Sequence, residues 1–156
     1  MRFNDIAAHE MALLAMEQYA IALNNLFELE LASSTSEIQK LHDKGRIALW
    51  RPSTMTLQAS ELSPSWNTTS DSLSAWLADQ LSASALILIK SIDIKTTNTI
   101  SELVANEIVD RSFQDYLKKT PTYIAGPANL KNALQLFSQG AYPGTPLFLC
   151  SQKIAS

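Results

Sequence analysis

Two short polar clusters hold the residue types best suited to phosphate chemistry. They are Thr69, Ser70 and Asp71 in the first cluster, and Lys90, Ser91 and Asp93 in the second. A carboxylate can orient a lysine or a metal ion, an ammonium group can stabilise the charge of a transferred phosphoryl group, and hydroxyls can bind its oxygens. Together, the two clusters indicate a nucleotide or phosphate site.

Asp71 also has a purely structural interpretation. An acidic side chain in the first turn of a helix interacts favourably with the helix dipole, by ~0.3–1 kcal/mol. Thr68, Thr69 or Ser70 can cap the same helix, and Thr68 with Asp71 gives a short-armed capping box. From these residues alone, both interpretations of Asp71 stay open.

The elements beside the clusters suggest how they are positioned. The first cluster opens a helix predicted over Ser72–Ser82, and the second follows a strand predicted over Ala85–Ile89. This strand is continuously apolar, which is typical of strands covered on both faces in parallel sheets. Ligands of open α/β sheets bind outside the carboxyl ends of the strands, and free N–H groups at a helix start attract phosphate. Lys90 and the Gly126–Pro127 pair follow such strands, so a ligand site is predicted there.

The rest of the chain alternates between helical and strand patterns. A first helix is predicted from Asp5 to the pair Asn24 and Asn25. Further helices are predicted over Glu37–His42, Ser101–Asn106 with Ser101 as its cap, Phe113–Leu117, and Ala128–Ser138 with Leu130, Ala133, Leu134 and Phe137 facing inward. Further strands are predicted over Ile47–Trp50, Thr122–Ala125 and Leu147–Cys150, and Leu26–Leu31 fits either a half-buried strand or a frayed helix end. This alternation favours one α/β domain over residues 1–156 with a largely parallel sheet.

The first helix carries its apolar residues at helical spacing. They are Ile6, Met11, Leu14, Ala15, Tyr19, Ala22 and Leu23. His9 is predicted to be a surface or interface residue. The length and apolar residues of this helix favour a dimer, so a homo-oligomer or a partner subunit is expected.

Composition excludes several classes of protein. Hydrophobic residues make up 46% and charged residues 17%, as in a packed soluble protein. The net charge of −3 gives no electrostatic footprint for nucleic acid, and no apolar run approaches a membrane span. The single cysteine, Cys150, suits a reducing compartment and is predicted to be buried and inert, so a cytoplasmic protein is expected. His9 and His42 have no ligand spacing, so no metal site is predicted from them. Arg51, at a strand end, suits either an anionic ligand or a salt bridge.

The stretches over residues 69–78 and 82–93 resemble the amino acid kinase superfamily. With residues 8–12, 15–19, 50–53, 65–66 and 102–113, the chain is similar to the branch containing the aminomethylfuran phosphate kinases and their relatives in methylotrophic bacteria. The resemblance implies a three-layer α/β/α sandwich with a mainly parallel sheet, and ATP with Mg²⁺. It implies that Asp71 orients catalytic lysines, and that Thr69 and Ser70 lie beside substrate or phosphate. It places Lys90, Ser91 and Asp93 in the nucleotide loop.

One motif of that superfamily has no counterpart in this sequence. Amino acid kinases begin with a lysine-bearing strand and a Gly-Gly-Ser type loop, whereas the four glycines here are scattered. The expectations are therefore an N-terminally truncated domain, a loop supplied by another chain, or a non-catalytic relative. The leading hypothesis is an ATP-dependent small-molecule kinase of furan-type or pterin-type cofactor biosynthesis, incomplete alone. The alternative is a non-catalytic kinase-like subunit or ligand-binding module.

Overall fold

The computed structural model describes residues 4–95 and 99–147. The chain divides into two compact units, Met1–Thr68 and Thr69–Ser156. Among the described residues, no helix is both long enough and apolar enough to span a bilayer. The prediction of one domain over the whole chain stays a prediction.

The first unit pairs one long helix with a small parallel sheet. Its elements are α1 (Asp5–Phe27), β1 (Glu30–Ala32), α2 (Thr35–His42), β2 (Ala48–Trp50) and α3 (Ser53–Thr56). Strands β1 and β2 are parallel, with Glu30 opposite Ala48. Asn4 is the N-cap of helix α1, and its side chain accepts a hydrogen bond from the Ala7 N–H at 2.8 Å.

The end and the inner face of α1 both differ from the sequence-based predictions. The helix continues to Phe27 and ends at Glu28, which adopts the left-handed conformation, instead of ending at the two asparagines. Its buried residues are His9, Leu13, Glu17 and Ala20. Most of the apolar residues selected by helical spacing lie on the exposed side. His9, which was predicted to be a surface or interface residue, is buried and not at the surface.

The second unit contains a three-stranded sheet and the remaining helices. Its elements are α4 (Ser70–Gln80), β3 (Leu86–Ile89), α5 (Ile100–Ala105), α6 (Phe113–Tyr116), β4 (Thr122–Ala125), α7 (Pro127–Leu130), α8 (Ala133–Ser138) and β5 (Thr145–Leu147). Strand β3 pairs with β4 in parallel, and β4 pairs with β5 antiparallel. Helix α5 starts with a capping box between Thr99 and Glu102, so Thr99, and not the predicted Ser101, caps it.

The core of this unit covers one face of β3 and β4. Leu88 and Ile124 pack with Leu103, Phe113 and other apolar residues of the helices. Leu88 is buried, but Ile89 is 64% exposed, so the prediction that β3 is covered on both faces is wrong. The alternation of side chains along a strand explains the difference, because Ile89 points to the opposite face from Leu88.

The predicted helix over Ala128–Ser138 is interrupted. Asn132 has a non-helical backbone between α7 and α8. Asparagine favours such breaks because its side chain competes with the helix for backbone hydrogen bonds. Leu134, predicted to face inward, is 87% exposed. The last strand, β5, covers Thr145–Leu147 and overlaps the predicted strand Leu147–Cys150 only at Leu147. Residues 148–150 of the prediction, including the predicted burial of Cys150, lie outside the described residues.

The described residues therefore form a mixed α/β fold with two small sheets. The β1–β2 and β3–β4 pairings are parallel, as the sequence predicted, and β5 adds an antiparallel edge. Gly144 allows this edge: its φ is +109°, and a Cβ atom there would lie 2.5 Å from the Ile124 carbonyl oxygen. The α/β class is confirmed.

Candidate functional site

Lys90 and Asp71 form an ion pair at the carboxyl end of β3. The Lys90 Nζ donates to both Asp71 oxygens, at 2.7 Å and 2.8 Å. The Lys90 and Asp71 side chains are only 20% and 11% exposed. The Lys90 backbone N–H donates to the Ala125 carbonyl at 2.9 Å, which continues the parallel pairing by one residue. The structure thus joins one member of each predicted cluster.

Asp110 holds the beginning of α4. Its Oδ2 accepts hydrogen bonds from the backbone N–H of Thr69 at 2.9 Å, the Thr69 hydroxyl at 2.8 Å and the backbone N–H of Ser72 at 3.0 Å. Its Oδ1 accepts from the Ser72 hydroxyl. The Asp110 backbone N–H donates to the Asp71 Oδ2 at 3.3 Å. Asp110 therefore caps α4 from a distant part of the chain and also supports Asp71.

This cap corrects two predictions about the start of α4. The N–H groups of Thr69 and Ser72, which were expected to attract phosphate, already donate to Asp110. The helix also has no capping hydrogen bond from its own N-cap side chain, Thr69. A carboxylate from the same chain thus occupies the place that an anionic ligand would take.

The other predicted site residues have different surroundings. The Thr69 hydroxyl is committed to Asp110 as a donor. Ser70 is exposed in the first turn of α4, and its carbonyl accepts from the Ser74 hydroxyl at 2.7 Å. Ser91 is exposed directly after Lys90. Of these three residues, Ser70 and Ser91 have hydroxyls at the surface of the unit.

Asp93 connects the loops that follow β3 and β4. Its Oδ1 accepts from the Ala128 N–H at 2.9 Å, in the first turn of α7. Gly126 makes this close approach possible, since a Cβ atom there would lie 2.4 Å from the Asp93 Oδ1 and 2.5 Å from the Ile92 carbonyl oxygen. Asp93 therefore has a structural role in joining two strand ends, the same two ends at which the sequence predicted a ligand site.

The arrangement presents an oriented ammonium group. An ammonium has three donors, and Asp71 takes two of those of Lys90. Among residues 4–95 and 99–147, no acceptor is seen for the third, so it suits an oxygen of a phosphate or carboxylate ligand. The same residues include no group of three His, Cys, Asp or Glu side chains placed to hold a metal ion.

The first unit contains another buried acid. Glu17 of α1 accepts from the Arg51 Nη2 at 2.9 Å and from the Ser53 N–H at 3.2 Å. Burial favours a higher pKa for Glu17, but the hydrogen bonds from Arg51 and Ser53 and the Arg51 charge outweigh it, so the pKa is lowered. The sequence allowed Arg51 either an anionic ligand or a salt bridge, and in the structure Arg51 forms the salt bridge with Glu17.

His9 of α1 is also affected by its surroundings. Burial lowers its pKa, and a hydrogen bond to the Ser65 backbone opposes this effect in part. The neutral form is therefore favoured in the folded state.

Sequence reasoning missed Asp110 and Glu17 as site residues. Asp110 lies 41 residues from Thr69 along the chain, so no local spacing connects them. The available signal was the number of hydroxyl and N–H donors at one helix start, which requires an acceptor. No comparable signal marks Glu17, an acid within a largely apolar helix.

The chain was also compared with known proteins. No protein-family model matches it, and no curated protein is significantly similar to it.

Proposed function

We propose that this chain is an amino-acid-kinase-like protein that binds ATP and transfers its γ-phosphoryl group to a small molecule. The substrate class in this proposal is a furan-type or pterin-type cofactor precursor, which rests on the sequence resemblance alone. The three-layer α/β/α arrangement is part of the same proposal. The observation that carries it is the Lys90–Asp71 pair at the carboxyl end of a parallel strand.

Each residue of the pair has a defined role in this proposal. Lys90 contacts a phosphate oxygen through its third donor, and Asp71 fixes the direction of the ammonium group. Asp110 positions Asp71 through its backbone N–H. ATP supplies the phosphoryl group, and Mg²⁺ supplies charge neutralisation at its phosphates. Positioning and electrostatics make up nearly all of phosphoryl-transfer catalysis, so a fixed lysine is a useful contribution.

A second candidate is a non-catalytic subunit or ligand-binding module. The observation that favours it is the occupied start of α4. Asp71 already pairs with Lys90, and the Asp110 carboxylate accepts the N–H groups of Thr69 and Ser72 that a phosphate would otherwise bind. Phosphate binding by Lys90 alone is weaker than in a site that also uses helix N–H groups.

Calorimetric titration with MgATP tests the proposal. Wild type should bind with saturable heat, and Lys90→Met should bind at least about tenfold more weakly, the loss of about 1.4 kcal/mol expected for one charged contact. Asp71→Asn should keep the fold, bind more weakly and form no ADP in the presence of substrate. Lys40→Met, at an exposed position on α2, is the matched control and should bind like wild type.

The outcomes separate the two candidates. Saturable binding with ADP formation supports the kinase. Binding that depends on Lys90 without ADP formation supports the ligand-binding module. If millimolar MgATP produces neither heat nor a shift in Tm, this chain does not bind the nucleotide and the kinase proposal is wrong.

A further inference from the structure

Arg111 of the second unit is an exposed cation that directly follows Asp110 in the chain. The other two arginines that the structure describes each form an ion pair with a glutamate of the first unit. Among residues 4–95 and 99–147, no carboxylate pairs with the Arg111 guanidinium. The ion pairs of the described residues and the roles proposed for Lys90 and Asp71 therefore leave Arg111 unexplained.

The backbone of Arg111 lies between two fixed residues. On one side, the carboxylate and the backbone N–H of Asp110 together make five hydrogen bonds. On the other side, Phe113 is fully buried, and its N–H donates to the Asp110 carbonyl at 3.2 Å, which closes a turn around Arg111. The turn therefore fixes the point from which a long, exposed side chain extends.

This point brings the Arg111 side chain within reach of the Lys90 ammonium group. The Asp71 Oδ2 lies 2.8 Å from the Lys90 Nζ and 3.3 Å from the Asp110 N, so these two nitrogens are at most about 6 Å apart. The Arg111 Cα lies about 5 Å further along the chain, and an extended arginine side chain spans roughly 7 Å from Cα to Nη. A phosphoryl group held by two cations separates their nitrogens by on the order of 7 Å. The guanidinium can therefore contact the same phosphoryl group as Lys90.

The charge balance around Lys90 leaves a role for a second cation. Asp71 neutralises Lys90, and the Asp110 carboxylate accepts the N–H groups at the start of α4. A neutral pair offers little electrostatic attraction to a group with two negative charges. The guanidinium of Arg111 adds one positive charge and a fork of donors that matches two phosphate oxygens.

We propose that Arg111 is the second cation of the Lys90 site, and that the two side chains together select a phosphoryl dianion over a singly charged carboxylate. The inference rests on the proposed function for the location of the site, and it adds the class of ligand group that the site takes. Arg111 donates to two phosphoryl oxygens, and Lys90 donates to a third. A carboxylate has one charge and two oxygens, so it cannot satisfy both cations in this way.

Titration of the full chain with methyl phosphate and, separately, with acetate tests this selection. The titrations are made well above the second pKa of a phosphate ester, which is about 6, so that methyl phosphate is a dianion. The side-chain NMR signals of Lys90 in lysine-labelled protein report binding. Arg111→Gln should weaken the binding of methyl phosphate by at least about tenfold, as expected for the loss of one charged contact, and change that of acetate by less than about twofold.

Two further variants separate the charge of Arg111 from its geometry and from the general field of the protein. Arg111→Lys keeps the charge without the fork, so it should recover part of the affinity for methyl phosphate. Lys119→Gln is the matched control, and it should bind like wild type. It removes an exposed cation that precedes β4, at the opposite end of the sheet from Lys90. Circular dichroism confirms that each variant is folded.

The outcomes distinguish this inference from the proposed function. Arg111→Gln with wild-type affinity for methyl phosphate makes Arg111 an ordinary surface residue and overturns the inference, as does an equal loss for both ligands. A wild type that binds no methyl phosphate at tens of millimolar also overturns it, while MgATP binding through Lys90 would still support the proposed function. If methyl phosphate binds through Lys90 and Arg111 and MgATP does not bind, the kinase proposal fails and the phosphoryl site remains.

Discussion

Each of the two units contains a buried acid that pairs with a cation at the end of a parallel strand. In the first unit Glu17 pairs with Arg51, which follows β2, and in the second Asp71 pairs with Lys90, which follows β3. Both acids also accept a backbone N–H, from Ser53 and Asp110 respectively. The two pairs therefore have the same local chemistry.

They differ in what surrounds the pair. Glu17 and Arg51 form one neutral pair that ties a long helix to the end of a strand. In the second unit, the Asp110 carboxylate holds the start of α4, and the Asp110 backbone N–H donates to Asp71. An arginine fork is well suited to a fixed structural pair, whereas a lysine is a compact charge with three rotatable donors. The first pair therefore suits a structural role, and ligand contact by the second pair is part of the proposed function.

Asp110→Ala removes the carboxylate that caps α4, a contact that has no counterpart around the Glu17–Arg51 pair. The variant leaves the donors of Thr69 and Ser72 without their acceptor, whereas the backbone N–H that donates to Asp71 is kept. The free energy of unfolding should fall by about 3 kcal/mol, as measured by urea denaturation. Asp115→Ala, at an exposed position of α6, should change it by less than about 0.5 kcal/mol. Equal losses in the two variants would show that Asp110 is not a cap.

Gly126→Ala tests how tightly the strand ends of the second unit are joined. The added methyl group would meet backbone atoms, the Ile92 carbonyl oxygen at 2.5 Å and the Asp93 Cα at 2.6 Å. We expect a loss of about 2–3 kcal/mol from this overpacking. Gly45→Ala in the first unit meets no atom within 4 Å and should cost only about 1 kcal/mol, because its φ is +67°. A larger loss of stability from Gly45→Ala than from Gly126→Ala would contradict the close approach of the loops that follow β3 and β4.

Glu17→Gln tests the neutral pair of the first unit. At neutral pH the loss of the charged hydrogen bonds should cost about 1–2 kcal/mol. Because folding lowers the pKa of Glu17 from its ordinary value of 4.5, its contribution is present above that value and is lost as the pH falls through the folded-state pKa. Urea denaturation between neutral and acidic pH should therefore show a steeper decline for wild type than for Glu17→Gln. Parallel curves would count against the Arg51–Glu17 pair.

Substitution of His9 should give the smallest change in the free energy of unfolding. Since burial lowers its pKa, the stability gained by keeping it neutral is present above its ordinary value of 6.5 and is lost as the pH falls below that value. His9→Gln should flatten this part of the profile. His42→Gln, at an exposed position of α2, serves as the control for stability at neutral pH. A profile that His9→Gln leaves unchanged would contradict the burial of His9.

The sequence predicted elements more accurately than their surroundings. Strand β4 was predicted residue for residue and β3 with one extra residue, Ala85, because apolar β-formers are bounded by polar residues and by Gly126. The exposed face of β3 and the break at Asn132 depend on packing and turn geometry, which residue types alone do not fix.

The candidate site was predictable only where chemistry was local. Asp71 and Lys90 were selected for their types and their positions beside a helix start and a strand end. Asp110 and Glu17 were missed because their partners are 41 and 34 residues away in the chain. In α1 the spacing selected the wrong side, since the apolar residues line both sides and the buried side includes His9 and Glu17.

The proposed function depends most directly on the third N–H donor of Lys90. The side-chain signals of Lys90 in the NMR spectrum of lysine-labelled protein, which are assigned with the variant Lys90→Arg, report contact with an added ligand. We expect saturable shifts of the Lys90 signals on addition of MgATP, with the Kd found by calorimetry, while those of Lys40 stay unchanged. If the Lys90 signals do not move at millimolar MgATP, Lys90 and Asp71 form a structural pair like Glu17 and Arg51, and the ligand contact assigned to the second unit is wrong.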